Sequence, residues 1–125
     1  MKNLIYLVLI ISFFSSKAQE KKCLNYRTGK FNYELENRPE LVIRTDSTQI
    51  EINPITKVEI YSSIKWESDC KYIMTYTKIL NYPEGTSHMI GQKINVEIIS
   101  TDSDGYIVHA KSPLIDNILG FVKVE

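Results

Sequence analysis

No helix-length hydrophobic run able to cross a bilayer is visible in this chain. Such a span takes about 20 apolar residues, and the run from Leu4 to Phe14 (LIYLVLIISFF) stops well short. An excess of basic charge is also missing. The formal net charge is zero, and removing Lys2 and Lys17 leaves the acids slightly ahead. Nucleic-acid binding, which usually gathers Lys and Arg on one face, is therefore not expected. Histidine is scarce, with His88 and His109 the whole supply. No His-x-x-x-His or His-x-Glu spacing occurs and the cysteines are far apart, so no metal site is expected. The five glycines make no phosphate-cradling loop and no Gly-x-Ser-x-Gly elbow. Repeats, linkers and low-complexity stretches are absent, and no segment carries a helical stripe of useful length.

What is present begins with the leader. Lys2 supplies a positive n-region, Leu4 to Phe14 an apolar h-region, and Ser16 and Ala18 small residues ahead of a cleavage site. This is the pattern of a secretory signal peptide. Residues 1–18 are expected to be removed, leaving 19–125 as one exported domain of ordinary size. Both cysteines, Cys23 and Cys70, fall in that domain. An even count in a small exported protein reads as one disulfide. Closing a loop from position 23 to position 70 is worth roughly 4 kcal/mol in the chain-entropy model.

Period-two alternation rich in Val, Ile, Thr and Tyr predicts strands. Eight candidates fit: 30–36, 41–46, 48–53, 57–66, 71–80, 92–100, 106–112 and 118–124. Pro39, Pro54, Pro83 and Pro113 all fall between them, as residues unable to donate to a ladder should. The expectation is an all-β domain, a single antiparallel meander forming a small lipocalin-like barrel or a two-sheet sandwich. The likeness to lipocalins is one of architecture.

Three hairpin registers follow from the pattern. A turn at Asp46-Ser47 sets Ile43 against Ile50 and Leu41 against Ile52, with Arg44 and Gln49 facing solvent. A turn at Ser68-Asp69-Cys70 sets Trp66 against Tyr72, Ile64 against Met74 and Glu67 against Lys71. It leaves Cys70 at the tip, free to reach Cys23. A turn through Thr101-Asp102-Ser103-Asp104-Gly105 sets Ile98 against Val108, Val96 against Ala110 and Ser100 against Tyr106, with Gly105 expected at positive φ. The Asp-x-Asp-Gly pattern is not an EF-hand calcium loop, because Pro113 stands where a bidentate glutamate is needed. The longest connection is 81–91, a natural place for function but more readily read as a plain exposed crossover.

The densest constellation is Ile64 to Tyr72, which holds the one tryptophan, a cysteine and several charges. Trp66 and Tyr72 could stack on a small ligand. The favoured reading is a core pair beside the disulfide, because large aromatics generally serve cores. Trp66, Tyr72 and Ser100 are the candidate ligand-binding residues, with Ser62 and Ala110 as further inward-facing positions.

The motif Cys23-x-x-x-Arg27-Thr28-Gly29-Lys30-Phe31-x-Tyr33 is followed by Arg44 and by Gln49-Ile50-Glu51. Then come Ile64-Lys65-Trp66-x-x-Asp69-Cys70-x-Tyr72, Lys93-Ile94, and Ile98-Ile99-Ser100-Thr101 with Tyr106. This series resembles a family of small exported bacterial proteins without an established activity. Some of its members carry the label DNA topoisomerase IV. That enzyme is large, cytoplasmic and dependent on a DNA-cleaving tyrosine with metal-binding carboxylates, a description this small exported chain does not fit. The resemblance supports the disulfide and the hairpins and implies no catalytic residue.

Three functions are compatible with these observations. The first is a non-enzymatic exported binding protein, a monomer without cofactor, holding a small molecule in its barrel. The second is an envelope module that docks another protein. The third is a small hydrolase, which would need Asp69, His88 or His109 to converge with a partner.

Overall fold

The computed structural model describes residues 21–124. The expected leader, 1–18, lies outside the described residues. A short 3-10 turn at Cys23–Tyr26 precedes eight strands. They are β1 (Gly29–Tyr33), β2 (Leu41–Arg44), β3 (Thr48–Ile52), β4 (Glu59–Ser68), β5 (Lys71–Leu80), β6 (Lys93–Thr101), β7 (Gly105–Lys111) and β8 (Asp116–Lys123). Each pairs antiparallel with the next, and β8 returns to β1, so the sheet closes as a barrel rather than splitting into a sandwich. Closure pairs every strand on both sides, although β5 residues 77–80 extend beyond β6 and pair with β4 alone.

The two ends of the barrel differ. Three short turns, at 45–47, 69–70 and 102–104, gather at one end. The loops 34–40, 53–58, 81–92 and 112–115 gather at the other and form a mouth. The 3-10 turn seals the first end. The Cys23–Cys70 disulfide pins it to the β4–β5 tip. Lys22 N donates to Thr101 Oγ1 at 2.9 Å, and the Tyr26 hydroxyl donates to the Asp102 carbonyl. Tyr26, Phe31 and Tyr106 then pack ring on ring, with centroids 5.1 to 6.5 Å apart.

The hairpin registers hold in outline, with one reversal of faces and two bulges. In β2–β3 the pairs Ile43–Ile50, Leu41–Ile52 and Arg44–Gln49 form as expected. The faces are reversed, however. Val42, Arg44 and Gln49 are buried in the lumen, while Leu41, Ile43, Ile50 and Ile52 stand half-covered on the outer wall. The register fixes which residues share a face, not which face looks inward. Here the lumen takes the polar set because Arg44 finds partners there.

In β4–β5 the turn is the two residues Asp69-Cys70, and Ser68 rather than Glu67 opposes Lys71. A bulge at Glu67 absorbs the extra residue, so Trp66 still faces Tyr72 and Ile64 still faces Met74. In β6–β7 a second bulge at Ile99 moves Ser100 opposite Ile107 and Thr101 opposite Tyr106. Ser100 is thereby exposed instead of inward. Gly105 does not sit at positive φ, unlike Gly29 and Gly91. It is needed for space, since a Cβ there would collide with the carbonyl of Phe121 across the ladder.

Candidate functional site

Strand alternation sends one residue in two toward the barrel axis. At the sealed end those residues fill the lumen. Arg44 is 2 % exposed and donates to three acceptors: Nε to Gln49 Oε1 at 2.9 Å, Nη1 to the Tyr26 carbonyl at 2.9 Å and Nη2 to the Tyr106 hydroxyl at 2.7 Å. Phe31, Tyr72 and Tyr106 offer ring faces 4.9 to 5.6 Å from its guanidinium carbon. Each guanidinium nitrogen thus has an acceptor and the charge has ring faces, with no carboxylate in direct contact among the described residues. Gln49 turns its amide nitrogen to Met74 Sδ at 3.2 Å and forms part of the floor of the space above.

That space is a cavity of about 210 Å³. Met74, Ile94, Val96, Ala110, Leu119 and Phe121 form its apolar wall, and Arg38, Gln49, Glu51 and Asn117 add polar groups to the lining. Above it, the mouth loops enclose a wider basin of about 630 Å³, walled by Asn53, Val58, Asn81 and Tyr82 among others. Arg38, Glu51 and Tyr76 line both spaces. An apolar chamber beneath a small polar collar is the usual form of a ligand site.

The collar is built by β1, β3, β5 and the 34–40 loop. Tyr33 donates its hydroxyl to Glu51 Oε1 at 2.7 Å. Arg38 stacks 4.2 Å from the Tyr33 ring centroid, with Nη2 3.5 Å from Glu51 Oε1 and Nε 3.5 Å from Glu40 Oε1. Among the described residues, Glu40 Oε2 is the buried side-chain oxygen without a hydrogen-bond partner. Burial pushes the Glu51 carboxyl above the usual carboxylate range, and nearby Glu40 adds to the rise. The Tyr33 hydrogen bond and Arg38 pull the other way. The Tyr33 and Tyr76 phenols are raised chiefly by burial, with Glu51 adding to each.

The residues anticipated as ligand contacts separate. Tyr72 lines the cavity. Trp66 pairs with it, ring centroids 4.6 Å apart, but sits half-exposed at the sealed end. There its Nε1 donates to the Asp46 carbonyl at 3.2 Å, and Arg27, ion-paired to Asp46, covers its face at 4.6 Å. Ser100 does not line the cavity. Ser62 is buried, and Ala110 is part of the cavity wall.

Asp69, His88 and His109 are not brought together. Asp69 is on the tip of the sealed end and His88 is exposed in a mouth loop. His109 Nε2 does meet a carboxylate, Asp116 Oδ1, at 2.6 Å, and the imidazole holds that carboxyl below its usual range. The pair stands on the outer wall, where the ladder neighbours of His109 are Glu97 and Ile118 rather than a nucleophile. Nucleophilic catalysis requires such a third group.

Tyr33, Arg38, Glu40, Glu51 and Tyr76 were not anticipated. The one available signal was parity: Glu51 shares a face with Gln49, and both oppose the aliphatic side of their strand. No family model, curated protein or solved structure matches the chain.

Proposed function

We propose that this protein is a non-enzymatic binding protein of an exported, oxidising compartment, which holds one small molecule in its barrel in the lipocalin manner. One observation carries this reading: the apolar cavity above Gln49 has a sealed floor and a polar collar opening toward the mouth. A barrel meant only as a scaffold would fill this space with side chains. The Cys23–Cys70 disulfide is compatible with export.

The test is native mass spectrometry of protein purified from its own source, followed by denaturation. A small added mass that leaves on denaturation is expected. Ala110→Phe, which projects a ring into the cavity, should abolish it while the protein stays folded. An Ala110→Phe variant that keeps the added mass would place the ligand elsewhere. Protein that carries no mass and does not take up propylbenzene, a hydrocarbon fitted to the chamber, would overturn the reading.

A further inference from the structure

Resting on that reading, we propose that the ligand is a small organic ammonium, its cationic head held at the collar by Glu40 and Glu51 and its apolar body lowered into the cavity. The collar already displays this chemistry with a side chain of the protein itself. Arg38 places a cation over the Tyr33 ring and between two carboxylates. Both of its ion-pair contacts are long, at 3.5 Å, and the residue belongs to a loop rather than a strand. It is a loosely held internal occupant of a cation site.

Two carboxylates that line the basin face one guanidinium there, so the collar keeps an acidic excess. An ammonium supplies the missing charge and brings hydrogen-bond donors. An anionic head would meet two like charges. Arg44, the other cation of the lumen, does not reverse this preference. It is behind Gln49 at the sealed end, engaged by three acceptors. Tyr76 and Tyr82 supply further rings around the opening, surfaces to which an ammonium is drawn. Size limits the body. An apolar cavity of roughly 150 Å³ accepts benzene, so the 210 Å³ chamber fits a phenyl ring or a short branched chain.

Three probes of one shape and different charge test this: phenethylamine, phenylpropionate and propylbenzene, titrated near neutral pH by calorimetry. Phenethylamine should bind at least about tenfold more tightly than either of the others, a difference of ~1.4 kcal/mol. Glu40→Gln and Glu51→Gln should each weaken the amine by about that factor and leave propylbenzene unchanged. Arg38→Gln, which keeps a polar side chain and removes the competing charge, should strengthen the amine several-fold. Thermal melts establish that each variant is folded. Equal or tighter binding of phenylpropionate, or loss of amine binding in Arg38→Gln, would overturn the ammonium assignment. Propylbenzene binding alone would likewise overturn it while leaving the container function standing. Failure of all three probes would overturn the ammonium assignment, and it would overturn the container reading as well only where native mass spectrometry also shows no added mass.

Discussion

The Tyr33 hydroxyl donates to Glu51 Oε1 at 2.7 Å, tying β1 to β3 across the upper lumen. The bond does not compensate for taking the carboxylate out of water, and Glu51 keeps a raised affinity for its proton. The folded chain therefore holds that proton to a higher pH than the unfolded chain does. This stabilising contribution is full below the ordinary carboxylate range and is lost as pH rises through the raised value. Glu51→Gln should accordingly raise the melting temperature at neutral pH and flatten its dependence across the mildly acidic range. Thermal melts from pH 4 to pH 8 check this. A variant less stable than the parent at neutral pH would mean that the ionised carboxylate is stabilising as it stands.

At the sealed end, Tyr106 accepts from Arg44 Nη2 in a fully buried setting. Tyr106→Phe keeps the ring packing on Phe31, Tyr26 and Phe121 and removes only that acceptor. A hydrogen bond to a charged group is worth roughly 1.5–3 kcal/mol, and the stranded donor has no water to turn to. Urea unfolding should show a loss in that range. Arg44→Lys should not substitute, because one ammonium cannot reproduce the planar fork that reaches Gln49, Tyr26 and Tyr106 together. An unchanged unfolding midpoint in Tyr106→Phe would show that the hydroxyl contributes nothing.

The same residues explain how much of the molecule was legible beforehand. Ile43 opposite Ile50 could be read because a two-residue turn fixes opposition without reference to the fold. The orientation of that pair could not. The rule that apolar residues face inward assumes an apolar interior, and this lumen holds Arg44, Gln49 and Glu51. Local rules fail most often where function requires a departure from them. The Glu67 and Ile99 bulges were equally silent, because a bulge keeps the pairs on either side of it in plausible register. Trp66 opposite Tyr72 survived for that reason, while Ser100 opposite Tyr106 did not. The collar joins Arg38 and Glu40 from a loop to Glu51 and Tyr76 from two separate strands, and only closure of the barrel brings them together.

The Cys23–Cys70 bond joins positions 47 apart in sequence and anchors the turn that seals the lumen. In the chain-entropy model such a loop contributes about 4 kcal/mol, much of the 5–15 kcal/mol typical of a domain. Cys70→Ser should lower the melting temperature strongly in oxidising buffer. Reduction of the parent should produce a similar fall, and reductant should have little further effect on the variant. If parent and variant melt together in oxidising buffer, the bond is not a main source of stability.

Trp66 offers a sharper separation of structure from binding. Its ring is half-exposed, backed by Tyr72 and covered by Arg27, with its N–H on the Asp46 carbonyl. A fully buried tryptophan cut to alanine costs roughly 3–5 kcal/mol. Trp66 leaves no closed void, so Trp66→Ala should cost less, on the order of 1–2 kcal/mol, from lost stacking and one hydrogen bond. Phenethylamine affinity should stay within about twofold of the parent value, because Trp66 is outside the cavity and at the opposite end from the collar. Chemical denaturation and calorimetry on the same sample give both numbers. Retained stability with binding abolished would make Trp66 a ligand platform after all and would move the site from the mouth to the sealed end.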